Sequence, residues 1–499
     1  MDANQLKKRN LWLFPLGTVG RDMIYCLFTN FILTYILFTR QLTAAQLSAI
    51  TFIMVAARVF DALNDPVMGN IIERTRSRFG KFKPWLAIGI LATSVVVYLA
   101  FNTDLQGWNF VWFFGVIYLL YSVTYTMHDI SYWGMVAALS SDADERNQFT
   151  SRATLFAGIG GTAASVLIPM FTTGSLTIGG SANVAFGRIA LVVCILSPLF
   201  LCCTIFGVKE RRVKTTEDVP PISFKKILAT ITGNDQLMWI ALIFLIQQIG
   251  NGLVVGGIGS TYIYFDFGYQ GGLYSLFTTV GMSATAILMV GYPAISRKVH
   301  RKKLMGIMAL ISVTGYLLML LPGLLLPSGN MVKYWFIVVG YMLSNFGQYC
   351  YYLIMMISII NTVEYNEYQH GVRDEAIIAS LRPFLTKLAS ALIVVITSAS
   401  YLLFGITSYT NQISDLESAA ASGAMTEAAK LEAINGVLSG VSAGQANGLL
   451  LCMTVLPCAL MLISYVLYKK HYKLDEPEYD RICAELAARE TGANESLTE

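Results

Sequence analysis

Twelve stretches of predominantly apolar residues, each long enough to cross a hydrocarbon core, recur along this 499-residue chain. A helix needs about 20 such residues to span a bilayer. The runs lie at roughly 12–38, 46–72, 84–101, 108–139, 150–173 and 188–207, then 236–265, 271–295, 303–322, 332–361, 376–404 and 446–468. Composition agrees: 55% of residues are hydrophobic and only 13% charged, where a soluble protein carries about 25% charged residues. The expected class is therefore an all-α membrane protein with twelve transmembrane helices. The formal net charge of +4 gives no reason to expect a nucleic-acid partner. The eight cysteines show no C-x-x-C or zinc spacing and read as small buried hydrophobes.

Lysine and arginine set the expected orientation. Connections on the side of the N-terminus hold Lys7, Lys8 and Arg9, the set Arg74, Arg76, Arg78, Lys81 and Lys83, the set Lys209, Arg211, Arg212 and Lys214, and the set Arg297, Lys298, Arg301, Lys302 and Lys303. The opposite side holds Arg40, Arg188, Lys333 and Lys430. Both termini are thus expected in the cytoplasm. The first run contains Arg21 and Asp22 and lacks a small-residue cleavage site, so it reads as a retained membrane helix rather than a signal peptide.

The runs group as six and six. This predicts a bundle over 1–207, a cytoplasmic connection over 208–235, a second bundle over 236–470 and a tail over 471–499. The basic loop after the second run has a counterpart after the eighth, Ser296–Lys303. Two related halves around a central cavity is a transporter architecture. The connection 405–445 is alanine-rich with helical spacing, and reads as a surface helix outside the bilayer, either shielding a mouth or serving as a linker.

Charges inside the runs point to function, because each costs about 2.5–3.5 kcal/mol near a bilayer centre. Asp61, Asn64 and Asp65 share one helical face. They form a hard-oxygen cluster suited to a small cation such as Na⁺; the alternative is an inter-helix salt-bridge network in which Arg58, one turn earlier, neutralises one acid. In the fourth run, Tyr125, Thr126, Asp129 and Trp133 form a polar and aromatic stripe. A carboxylate beside aromatic rings is what sugar recognition needs, although an interfacial aromatic belt is the plainer reading. Asp22 and Lys387 come from opposite halves and are expected to meet in a central cavity. Arg152 and Arg382 lie close enough to helix ends to snorkel. His128 is expected either to relay protons or to hydrogen-bond a neighbouring helix. The dense basic loop after the second run is expected to latch one access state, with Glu364, Glu367 or Asp374 as its partner.

The chain resembles the glycoside–pentoside–hexuronide:cation symporters of the major facilitator superfamily. The resemblance is carried by D-A-L-N-D-P-V-M-G at Asp61–Gly69, T-R-S-R-F-G-K-F-K-P-W at Thr75–Trp85, Y-T-M-H-D-I-S-Y-W at Tyr125–Trp133, E-Y-N-E-Y-Q-H-G-V-R at Glu364–Arg373 and the tail Y-K-L-D-E-P-E-Y. It implies two six-helix bundles of the major facilitator fold in the cell membrane, and cation-coupled sugar uptake by alternating access. It places Asp61, Asn64, Asp65 and Thr126 at the cation site, and Asp22, Tyr125, Asp129, Trp133, Arg152 and Lys387 at the sugar. Tyr352 stands where a family member stacks a second tryptophan; Arg21, Asn361 and His128 also depart from the pattern. The expected partners are one sugar, one monovalent cation (Na⁺ before H⁺) and the bilayer, with no cofactor, no enzymatic activity and a functional monomer. The rival cargo for the same fold is a lipid-like amphiphile.

Overall fold

A computed structural model describes residues 3–140, 143–208, 224–255, 257–296, 298–372 and 374–498. The basic set Lys209–Lys214, Arg297 and Arg373 lie outside the described residues. All regular structure among them is helical: α1 (Ala3–Thr39), α2 (Ala44–Arg74), α3 (Lys83–Phe101), α4 (Gly107–Leu139), α5 (Ala143–Thr172), α6 (Ala182–Gly207), α7 (Phe224–Gly233), α8 (Asp235–Leu253), α9 (Ile258–Phe267) and α10 (Gly271–Ser296). There follow α11 (Arg301–Leu325), α12 (Met331–Ile360), α13 (Thr362–His370), α14 (Glu375–Leu403), α15 (Ile406–Ala421), α16 (Glu427–Ser439), α17 (Ala443–His471) and α18 (Glu476–Thr498). Eleven spans among the described residues are long and apolar enough to cross a membrane; the 26-residue α10 coincides with the remaining expected run.

The elements start and stop where local chemistry dictates. Thr43 and Gln46 close a reciprocal capping box at the head of α2. The basic loop after α2 turns at Gly80, whose φ of +100° favours glycine, and Trp85 Nε1 donates to Thr75 Oγ1 across it at 2.7 Å. Lys81 of this loop pairs with Glu73 at 2.5 Å. The run 236–265, expected as one helix, is two. The chain leaves α8 after Leu253 and passes Gly257 at φ +109° before α9 begins. Apolar composition carries a span through such a break, but a backbone at positive φ cannot stay helical.

The chain divides into two compact units. The first comprises 1–219 with 260–279 and 394–446. Here α1 packs against α5 and α6, and α4 against α2 and α3. A Cβ on Gly20 would sit 2.6 Å from Ser197 Cα, so glycine lets α1 press onto α6, where Ser197 Oγ donates to Gly20 O at 2.8 Å. The connection 405–445 belongs to this unit and is more than a surface helix. It forms both α15 and α16, and α15 buries Ile406, Thr410, Ile413, Ser414 and Glu417 along one stripe. Glu417 Oε2 accepts from Lys430 Nζ at 3.2 Å and from Ala182 N at 2.6 Å. Lys430 Nζ also donates to Gly180 O at 2.7 Å. Neither side chain retains any exposure, and burial pushes the Glu417 carboxyl up against the opposing pull of Lys430.

The second unit comprises 220–259, 280–393 and 447–499. Its core gathers Ile240, Ile243, Phe244, Tyr351, Ile354 and Met355 with Met461. A buried amide chain runs through it: Gln247 Nε2 donates to Gln348 Oε1 at 2.9 Å, and Gln348 Nε2 to Tyr316 OH at 3.2 Å. The start of the tail helix α18 is tied down. Asp475 pairs with Lys302 at 2.7 Å and Glu476 with Arg301 at 3.1 Å. These bonds outweigh partial burial and hold both carboxyls below their usual range. The basic loop Ser296–Lys303 is thus met by the tail, while Asp374 accepts from Thr230 at 2.9 Å.

Candidate cation and sugar site on α1, α2 and α4

Two rungs join α2 to α4. Thr126 Oγ1 donates to Asp65 Oδ1 at 3.1 Å, and Ser122 Oγ donates to Asp61 Oδ1. Both partners advance by four residues from one rung to the next, so the helices run parallel in register, one turn per rung. Arg58 Nη1 stands 3.6 Å from Asp61 Oδ2 within α2, so the Arg58 part of the salt-bridge network weighed against a cation site is present at Asp61. Asn64 lies between the acids, and its Nδ2 is buried with no hydrogen-bond partner among the described residues. Two carboxylates, an amide and two hydroxyls make an all-oxygen donor set that suits an alkali cation.

One turn further along α4, a second cluster forms against α1. Arg21 reaches Asp22 Oδ2 through Nη2 at 2.8 Å and Nε at 3.0 Å, and Asp129 Oδ1 through Nη1 at 2.9 Å. Its guanidinium lies 5.0 Å from the centre of the Trp133 ring and 5.3 Å from that of Tyr132, within cation–π range. The arginine side chain is 5% exposed, but Asp22 and Asp129 keep 23% and 35%. The acids are therefore held from behind and open in front. Tyr125 is tilted against Tyr25 at 5.3 Å and stacked on Tyr121 at 5.5 Å, which continues the aromatic wall.

Of the residues expected at the sugar, α1 and α4 bring Asp22, Asp129 and Trp133 together. Thr126, on the same stripe, turns to α2 instead. Arg152 stands apart: its Nη1 donates to Leu11 O at 3.4 Å, and its guanidinium covers the Trp12 ring at 5.3 Å. Leu11 is ten residues before Arg21, about 15 Å along a helix. Tyr352 and Lys387 belong to the second unit; Tyr352 packs near Phe244 and Tyr349. His128 is fully buried, and neither ring nitrogen has a partner among the described residues, so the expected bond to a neighbouring helix is absent there. It is wedged beside Gly89 and meets the Tyr125 ring edge-on at 4.7 Å.

Sequence reasoning gave no role to two residues of these clusters. Arg21 was visible as a charge beside Asp22, but sequence alone cannot show that one guanidinium bridges α1 to α4. Ser122 carried no signal at all, being one hydroxyl in an apolar helix.

Residues 13–476 match the family described as MFS/sugar transport protein. The chain belongs to this family. It is 28% identical over 400 residues to the lactose permease of Leuconostoc lactis, an alignment covering 76% of this chain and 60% of that protein's length. It is 25% identical over 495 residues to the raffinose carrier protein of Pediococcus pentosaceus, covering 95% of this chain and 70% of that one. The crystal structure of a bacterial homolog of the human lysosomal transporter Spinster shares the fold, at a TM-score of 0.60 and 12% identity, with 94% of this chain and 98% of that chain covered. The family match bears out the resemblance drawn from the motifs at Asp61–Gly69, Thr75–Trp85 and Tyr125–Trp133. The molecule is a multi-pass membrane protein with the major facilitator fold.

Proposed function

We propose that this protein is a secondary transporter that imports a sugar together with a monovalent cation. One observation carries the reading: α4 presents both clusters within about three turns. Ser122 and Thr126 engage the α2 acids, and Asp129 and Trp133 line the arginine-held pocket wall against α1. A ligand at either cluster therefore bears on the same helix, which is a physical basis for reciprocal coupling. Partly exposed carboxylates beside an indole suit paired hydroxyls and the apolar face of a pyranose, and disfavour an amphiphile. The relatives' names, lactose permease and raffinose carrier, agree with a glycoside as cargo. Neutral oxygens beside the two acids favour Na⁺ over H⁺, since a proton needs only one carboxylate oxygen.

In this reading the halves are 1–207 and 236–470, joined by 208–235. Both termini face the cytoplasm, and a monomer suffices. Lys387, Tyr352 and Arg152 are assigned to the sugar on the family resemblance alone. The test is uptake of labelled sugars into vesicles under imposed Na⁺, Li⁺ or pH gradients. A sugar driven by the Na⁺ gradient in the native protein, and no longer driven in Asp61→Asn and Asp65→Asn, is the expected result. Gradient-driven uptake that survives in both variants sinks it.

A further inference from the structure

The two rungs between α2 and α4 are chemically alike, yet only Thr126 belongs to the cation set expected from the sequence. We infer that Ser122 is an additional ligand of the coupling cation, paired with Asp61 as Thr126 is with Asp65. This rests on the cation-coupled reading above.

The behaviour of neighbouring hydroxyls makes the argument. A serine or threonine inside a helix commonly bonds back to the carbonyl one turn earlier. Thr124 does so on this same helix, donating to Leu120 O at 2.8 Å, and Ser48 does so on α2, donating to Ala44 O at 2.8 Å. Ser122 and Thr126 instead send their protons across to the acids of α2. Each hydroxyl has one donor and two acceptor lone pairs. With the proton committed to a carboxylate, the lone pairs stay beside that carboxylate, where a cation would sit. Ser122 is 3% exposed and Asp61 6%, so water does not readily replace the oxygen. Arg58, 3.6 Å from Asp61, holds the acid's charge until a cation arrives and can swing off it afterwards.

The extra oxygen has a consequence for ion choice. Li⁺ is smaller and satisfied by a smaller oxygen shell than Na⁺. Losing one neutral oxygen should therefore weaken Na⁺ more than Li⁺. A serine that only orients Asp61 would weaken both alike.

Thermal unfolding of the purified full chain in detergent, without sugar, reads this directly. Titrations with NaCl and LiCl are compared against choline chloride, since an ion that binds the folded state raises its midpoint. In Ser122→Ala the half-saturating Na⁺ should rise about three- to tenfold, roughly the loss of one modest interaction, with a smaller rise for Li⁺. Ser122→Thr keeps the oxygen and should restore native values. Ser122→Cys keeps the volume but offers a soft sulfur, and should behave as alanine does. Unchanged Na⁺ titrations in Ser122→Ala and Ser122→Cys overturn the inference while Asp65→Asn still abolishes the response. An equal loss for both ions also overturns it, leaving Ser122 as a positioning residue. A native protein that responds to neither ion, with Asp65→Asn no different, removes the cation site itself and this ligand with it.

Discussion

Two charged assemblies in the first unit invite comparison: Arg21 with Asp22 and Asp129, and Lys430 with Glu417. Both tie distant parts of the chain, the first through the Arg21–Asp129 ion pair and the second through bonds to the backbone of Ala182 and Gly180. They differ in how their charges meet the surroundings. Glu417 and Lys430 are sealed at zero exposure, and Lys430 Nζ and Glu417 Oε2 are held by each other and by backbone groups. Asp22 and Asp129 both pair with Arg21 and keep part of their surface exposed. A sealed pair fixes structure, because its desolvation is compensated only while both partners stay. Acids that keep part of their surface exposed present polar oxygens that a ligand can reach.

Breaking the sealed pair gives the largest expected effect. Lys430→Met leaves Glu417 buried without its counter-charge and should cost about 3–5 kcal/mol, read as a large fall in the unfolding midpoint. Adding Glu417→Gln should recover much of it. The raised Glu417 carboxyl fixes the pH sense. A buried acid whose folded pKa lies above its unfolded one binds more protons when folded, so stability falls as pH rises between the two values. The Lys430→Met variant should therefore regain stability on acidification more than the native protein does. An identical pH slope in the two breaks this account.

The open cluster should respond in function more than in stability. Asp129→Asn removes a charged hydrogen-bond acceptor and should weaken sugar binding by about 1.5–3 kcal/mol, while the unfolding midpoint moves little because Asp22 still holds Arg21. Equilibrium binding of whichever sugar the vesicle assay identifies checks the first half, and calorimetry the second. A midpoint that collapses as in Lys430→Met would erase the distinction between the assemblies.

The smallest effect is at the tail. Asp475 and Glu476 have depressed carboxyl values, so their contribution is present above the unfolded carboxylate range and is lost as pH falls through about 4 and below. Hydrogen exchange in α18 should rise over that window. In Arg301→Gln/Lys302→Gln, exchange should already be raised at neutral pH; protection that does not change in that double variant refutes the tether.

These contrasts show what a one-dimensional pattern can carry. Periodicity recovered the spans and put Asp61, Asn64 and Asp65 on one face, because those relations are local to one helix. The partners of those acids come from α4, and the 61-residue offset that aligns Ser122 and Thr126 with them is a tertiary register that no helical period encodes. Arg152 read as a snorkelling residue from its position near a helix end, and it lies against Leu11 and Trp12; the family resemblance alone moved it to the sugar. Glu417 and Lys430 were legible as charges in an alanine-rich stretch. Their burial depends on α15 folding back over Gly180 and Ala182, for which alanine spacing gives no sign. The break at Gly257 was hidden for the opposite reason: uniform apolarity reads as a single span whether or not the backbone stays helical.

The sealed pair also sets a timetable for folding. Glu417 closes onto a backbone amide made 235 residues earlier, and Lys430 onto a carbonyl made 250 residues earlier. At synthesis rates of about 5–20 residues per second, Gly180 and Ala182 leave the ribosome roughly ten to fifty seconds before their partners exist. During that interval the first six helices are already made, but one end of their bundle still lacks its cover. Its polar loop must wait in water or with a chaperone until nearly the whole chain has been translated.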